Sequence, residues 1–282
     1  MEKSKYLFKI YYIGKSKFFG SQRQSNFLTI EDCILKALMK KKYIHNIKLS
    51  GFEAASRTDR LVSARGAYFT CILEKEPVLM EINSALPYDI GIWAYTKVPL
   101  DFSSRYNAIL RHYLYLVPKP LSYLRNISSI NIEIMHKACR ALEGRHDFIN
   151  FSKRGKNEVN TKRDMESVKL SIEGDFLIFQ FKSRGFLRQQ VRRMVKKILE
   201  LGTGKILYDD FIQLLDPLKI FSYQPADPRG LILWDIIYEE KVKLSEDLKS
   251  KGRMESFFLK NKESFNFKHQ LFSLLQHHDF RE

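Results

Sequence analysis

Ile47-Lys48-Leu49-Ser50-Gly51-Phe52, then Ser56-Arg57-Thr58-Asp59-Arg60, then Gly66-Ala67-Tyr68-Phe69-Thr70-Cys71-Ile72-Leu73 form the stretch on which the fold and the chemistry turn. Two segments that read as strands flank a loop carrying one acid between two arginines. An acid is unusual company for so cationic a chain, in which 48 Lys and Arg against 32 Asp and Glu leave a net charge of +16. Nearby cations favour the ionised form of a carboxylate. Asp59 could therefore act as a nucleophile, for instance on a sugar anomeric carbon. The plainer alternative is a turn residue that accepts backbone N–H bonds.

Working outward, Tyr6 to Ile13 alternates with period two and reads as a strand. Gly14 to Gly20 is a turn-rich loop. Thr29 reads as the N-cap of a helix with Glu31 and Asp32 in its first turn and Ile30, Ile34, Ala37 and Leu38 as its buried stripe. Ile92 to Val98 and Leu110 to Val117 are further strands, and Pro118-Lys119-Pro120 reads as a linker. Beyond it, Asn131 caps a helix that Gly144 ends, and Gly174-Asp175 joins two strands as a hairpin. A basic helix is expected over roughly Phe186 to Leu201, a short helix over Asp209 to Leu215 and a last strand over Leu231 to Tyr238. Strands and helices mix without βαβ regularity, so the fold class is α+β with a mainly antiparallel sheet. The expected units are an N-terminal lobe at 1–117, a C-terminal lobe at 118–240 and a helical extension at 241–282.

Composition narrows the function. A pI near 9.6 fits contacts to phosphates, and a nucleic-acid partner is the expectation. Cys33, Cys71 and Cys139 are scattered and odd in number, as in reduced core positions of a cytoplasmic protein. No apolar run approaches the roughly 20 residues of a membrane span. The N-terminus runs straight into a strand, so no signal peptide is expected. The seven histidines show no metal-ligand spacing, and no metal is assigned.

Two further groups could carry chemistry. Arg188 and Arg192 lie four apart in Phe186-Leu187-Arg188-Gln189-Gln190-Val191-Arg192-Arg193-Met194 and would share one helix face. On that reading Arg188 reaches a carboxylate from the first turn, while Arg192 and Arg193 face phosphates; the alternative is a solvated basic face. In Arg111-His112-Tyr113-Leu114-Tyr115, the two tyrosines share a strand face with Arg111. They could stack an unpaired base, or could simply line a half-buried sheet face.

Taken together, these segments resemble the tRNA pseudouridine synthase A family. Tyr12-Ile13-Gly14, Phe19-Gly20-Ser21-Gln22-Arg23-Gln24 and Ser56-Arg57-Thr58-Asp59 are similar to its opening motifs. Leu86-Pro87-Tyr88-Asp89-Ile90, Asp101-Phe102-Ser103-Ser104-Arg105 and Arg111-His112-Tyr113-Leu114-Tyr115 follow in the same order. Asp147-Phe148-Ile149-Asn150-Phe151, Gly185 to Arg192 and Pro228-Arg229-Gly230-Leu231-Ile232-Leu233 complete the pattern, which spans about Lys5 to Tyr238. The resemblance implies two lobes around a mixed sheet with flanking helices and a basic central cleft. It implies isomerisation of uridine to pseudouridine in the anticodon arm of tRNA, near positions 38–40, without cofactor or metal, by a homodimer. Asp59 then corresponds to the nucleophile, Tyr113 to the tyrosine that stacks on the base and is implicated in removing the C5 proton, and Arg188 to the partner of the aspartate. Arg57 corresponds to the arginine that holds the target nucleotide out of its stack. Arg57, Arg60, Arg105, Arg111 and Arg192 make up the expected substrate-binding set.

The chain departs from the family pattern in three places. Ser56 stands where the family usually has Gly, Leu61 where it commonly has Gly, and Ala67 where a Gln is frequent. These changes bear on the conformation of the Asp59 loop. A catalytically silent RNA-binding protein on the same scaffold is the competing reading. A two-metal nuclease is disfavoured because clustered acids are missing from the sequence.

Overall fold

The first strand, β1 (Ser4–Tyr12), is buried from Tyr6 to Tyr12 on both of its faces. It pairs antiparallel with β3 (Ser63–Leu73) on one side and β4 (Ile90–Val98) on the other. Phe8 and Ile10 enter the main core, whereas Tyr11 lies with Trp93 in a second, smaller one. The sheet is thus covered on both faces at its centre, which the period-two pattern of the sequence did not require.

The computed structural model describes residues 3–153 and 160–276. Within them the other strands are β2 (Glu53–Ala54), β5 (Leu110–Leu116), β6 (Gly144–Asp147), β7 (Lys162–Glu173), β8 (Phe176–Ser183), β9 (Leu231–Ile237) and β10 (Ser245–Glu246). They make one 10-stranded sheet in the order β10-β4-β1-β3-β9-β5-β8-β7-β6, with β2 on β3. All pairings are antiparallel except β3 with β9, where Ser63 and Ala64 face Ile232 and Leu233. The helices are α1 (Ile30–Lys40), α2 (Leu79–Asn83), α3 (Leu121–Ile127), α4 (Ile132–Ala141), α5 (Gln190–Gly202), α6 (Tyr208–Gln213) and α7 (Leu248–Gln276). The α+β class with a largely antiparallel mixed sheet is as read from the sequence. No helix among the described residues is long and apolar enough to cross a membrane.

Local signals explain most element ends. Thr29 caps α1 in a reciprocal box with Asp32, and Ile30, Ile34, Ala37 and Leu38 are buried. Asn131 caps α4 through its side-chain oxygen. Gly174, at φ +58°, turns the β7–β8 hairpin. Two expectations fail, and one strand goes unread. Ile47 to Phe52 is a succession of turns, because Asn46 Oδ1 accepts from the amides of Lys48 and Leu49 and draws the chain out of the extended region. The basic helix starts at Gln190, not Phe186, because Gln189 takes a left-handed φ of +62°. The edge strand β6 escapes notice because Gly-Arg-His-Asp carries no apolar alternation.

Within the expected helical extension at 241–282, Ser245–Glu246 instead forms the edge strand β10, 277–282 lie outside the described residues, and Leu248–Gln276 forms α7. Its first half packs Met254, Phe257 and Phe258 against Tyr11 and Trp93, with the Phe258 ring edge-on to Tyr11 at 5.2 Å. Asn83, 2% exposed, ties this layer together. Its amide accepts from Ile92 N and donates to Ile92 O, both at 2.8 Å, and donates to Ser250 Oγ at 3.1 Å. One side chain so stands in for a neighbouring strand. Asn83→Ala leaves the Ile92 amide and carbonyl buried without partners and should lower the unfolding free energy by about 2–3 kcal/mol in urea titrations. Ser250→Ala, which removes one neutral bond, should cost about 1 kcal/mol or less.

Candidate active site

The loop between β2 and β3 is fixed from beneath by the residues just before Asp59. Thr58 donates its amide to Ser21 Oγ at 2.8 Å, while the Ser21 amide donates to Thr58 O at 3.1 Å. The Thr58 hydroxyl meets the buried Tyr12 hydroxyl at 2.8 Å. Close approach demands glycine twice. Gly20 has φ +87°, and a Cβ there would lie 3.0 Å from Thr58 O. A Cβ on Gly14 would lie 2.3 Å from the Leu61 carbonyl carbon. Leu61 itself holds φ +69°, a left-handed backbone that glycine takes at no steric cost. This accounts for a glycine being common there in the family the sequence resembles.

Sheet register brings the tyrosine to the acid. Ala64 on β3 faces Leu233 on β9, and Leu233 faces Tyr113 on β5. Tyr113 is 7% exposed, and its ring meets Phe186 edge-on at 5.1 Å. Burial foremost, and the negative charge of Asp59, push its phenol up to about 12 against the opposing pull of Arg111 and the Ser56 hydroxyl. Tyr115, on the same strand face, is buried and donates to Asp227 O, so it belongs to the core.

The cation on Asp59 is Arg192. Its Nη1 donates to Asp59 Oδ2 at 2.7 Å and its Nε to Ala226 O at 2.8 Å, while the Ala226 amide donates back to Arg192 O. The Arg192 side chain is 9% exposed and the carboxylate 34%, so a buried guanidinium presents a carboxylate that solvent and ligands can reach. Arg188, which the sequence placed there, is corrected by the geometry. It precedes the left-handed Gln189, lies ahead of α5 and is exposed. With no helix spanning 188 to 192, the two arginines do not share a face.

Arg111 is likewise not an open phosphate contact. Nε donates to Ser56 Oγ at 2.8 Å, Nη1 to Arg184 O, and Nη2 to Ala55 O at 2.9 Å and Arg105 O at 2.8 Å. At 8% exposure it braces three loops. Strand alternation cannot tell an open cation from one satisfied by carbonyls. The remaining expected cations, Arg57, Arg60 and Arg105, are exposed. Arg60 donates to Ser16 O and lies over the Phe19 ring at 4.1 Å. Sequence reading missed Tyr12, Ser21 and Ala226 as supports; a signal existed for Tyr12 and Ser21, inside the Tyr12–Gly14 and Phe19–Gln24 motifs, and none for Ala226.

The arrangement joins a guanidinium-paired carboxylate, a neutral buried phenol and a rim of exposed arginines. It suits attack on a polyanion at a sugar carbon, with an aromatic wall beside the leaving base. A family model described as tRNA pseudouridine synthase matches residues 138–239, the stretch that supplies Arg192 and β9. The tRNA pseudouridine synthase A of Methanosphaera stadtmanae is 34% identical over 89% of this chain and 90% of its own. Those of Methanothermobacter thermautotrophicus and Pyrococcus furiosus are 35% and 33% identical, covering 85% and 82% of this chain and 83% and 82% of theirs. These matches define an isomerase class of RNA-modifying enzyme. The chain belongs to the tRNA pseudouridine synthase A family.

Arg111→Leu strands the carbonyls of Ala55, Arg105 and Arg184 and should destabilise the fold by about 3 kcal/mol in denaturant titrations. The Tyr113 phenol is held more tightly in the folded chain than its ordinary value near 10. Its contribution to stability is therefore intact below pH 10 and fades as pH climbs toward 12. The pH–rate profile should show no fall from this group below pH 10.

Proposed function

We propose that the chain isomerises uridine to pseudouridine in the anticodon arm of tRNA, near positions 38–40, with Asp59 as nucleophile, Tyr113 against the target base and Arg192 as the partner of the aspartate. The observation that carries this reading is the 2.7 Å contact of Arg192 with Asp59 beside the buried Tyr113 phenol. In the isomerisation the bond from ribose C1′ to uracil N1 breaks and one from C1′ to C5 forms. The C5 hydrogen leaves as a proton and N1 gains one, so no co-reactant is consumed. Asp59 stabilises the detached sugar carbon. The base must turn while held, which requires the nucleotide to leave its stack at a cost of a few kcal/mol.

The phenol keeps its proton at neutral pH. That suits it to wall off and hydrogen-bond the uracil rather than to serve as a base in the resting enzyme. Arg57, Arg60 and Arg105 are exposed and within reach of phosphates, in keeping with the charge of +16. Homodimeric assembly and a cytoplasmic location belong to the same reading and rest on the family and composition alone.

The assay is release of label from tRNA tritiated at uridine C5. Asp59→Ala should abolish release while tRNA binding persists. Arg192→Gln should slow it by about 100-fold or more, and Arg188→Ala should leave it within about threefold of the unaltered chain. Release surviving Asp59→Ala would overturn the nucleophile, and loss in Arg188→Ala matched by none in Arg192→Gln would overturn the pairing.

A further inference from the structure

The loop from β1 to α1 carries an aromatic stack beside the Asp59 loop. Phe19 is half-buried and precedes Gly20, the residue that lies against Thr58 O. The Arg60 guanidinium lies over the Phe19 ring at 4.1 Å, and the Phe27 ring stacks on it at 4.3 Å with 25° between the planes. Each member is held from behind. Phe19 N donates to Leu28 O at 2.9 Å, and the Gln24 side-chain amide donates to Phe19 O at 2.6 Å. A bridge joins Gln24 to Phe27 around a turn in which Asn26 takes φ +71°. Arg60 Nη2 donates to Ser16 O at 2.9 Å. Neither ring is among the side chains packed against the two cores. Phe27 remains 47% exposed although one face rests on Phe19, so its other face is open to solvent. The surroundings favour a polyanion there. Arg57 and Arg60 are exposed, while the nearby acids Glu31 and Asp32 already accept from Arg23 and from the Thr29 cap. A nucleotide extruded toward Asp59 leaves its neighbours in the strand, about 3.4 Å apart, short of a stacking partner. A fixed phenyl face supplies one whatever the base.

We propose that Phe27, backed by Phe19 and Arg60, is the stacking platform for an unpaired base next to the target nucleotide of the RNA. Its place beside the target rests on the isomerase reading above. The subsite lies outside the group formed by Asp59, Arg192 and Tyr113, and it acts on how the RNA is held.

The probe is an anticodon stem-loop RNA in which 2-aminopurine, whose fluorescence falls on stacking, replaces each unpaired loop nucleotide in turn. The unaltered chain should quench one of these RNAs on binding. Phe27→Ala should abolish that quenching and weaken affinity about fivefold to 100-fold, the range of one stack of a base on an aromatic ring. Phe27→Leu keeps apolar cover on Phe19 but offers no π-face, and should behave like Phe27→Ala. Phe27→Trp should bind and quench like the unaltered chain. The dependence of affinity on salt should keep its slope throughout, because no phosphate contact is removed. Circular dichroism melts show that each variant is folded at the assay temperature. Phe27→Leu that binds and quenches like the unaltered chain overturns the proposal, since the ring would then only prop Phe19. So does release of label from tritiated tRNA with no quenching at any loop position. Quenching that depends on Phe27, in a chain that releases no label, supports the platform and overturns the isomerase reading instead.

Discussion

Arg192 and Asp59 are 133 residues apart in the chain and 2.7 Å apart in the fold. The guanidinium sits in the first turn of α5, where the helix dipole already disfavours positive charge, and it is buried. A cation so placed demands a counter-charge, and leaving it unpaired would be strongly destabilising. The acid in turn can hold that place only if its loop is rigid. Hence the Ser21–Thr58 exchange below it, the Tyr12 hydroxyl under Thr58 and the glycines at positions 14 and 20. Tyr113 joins the pair because β9 lies between β3 and β5 and carries the loop end of one strand to the middle of the other.

The departures from the family pattern acquire physical meaning in this setting. Leu61 accepts a left-handed backbone that favours glycine, a cost of about 1–2 kcal/mol. Tight contacts around it, such as the approach of Gly14, hold it there. Strain of this kind persists where the surroundings over-determine the backbone. Ser56 fills the place of another glycine with a hydroxyl that accepts from Arg111 Nε at 2.8 Å.

Much of this was legible in the residues. Thr29 and Asn131 announced their helices because side-chain caps satisfy orphan amides in a way that few residue types can. Asp59 and Tyr113 stood out because an acid between arginines and aromatics on a strand are locally distinctive. Arg192 was seen, but in the wrong role. The start of α5 is set by the left-handed Gln189, with no capping side chain, so helical spacing was extended back to Arg188 where no helix exists. Arg111 was misjudged for a different reason. Its partners are backbone carbonyls of three loops, which leave no trace in sequence. The turn at Asn46 overrode an apolar run that read as a strand.

The position of β9 has a consequence for how the enzyme is made. It is among the last strands to be translated, yet it fills the gap between β3 and β5. Until β9 is made, β5 keeps one bare edge and β3 one that β2 covers only in part, both open to wrong partners. Only when Leu231–Ile237 emerges do the halves of the sheet close and bring acid and phenol into register. The two ends of the sheet, and with them Asp59 and Tyr113, are therefore joined through a segment that the ribosome delivers late.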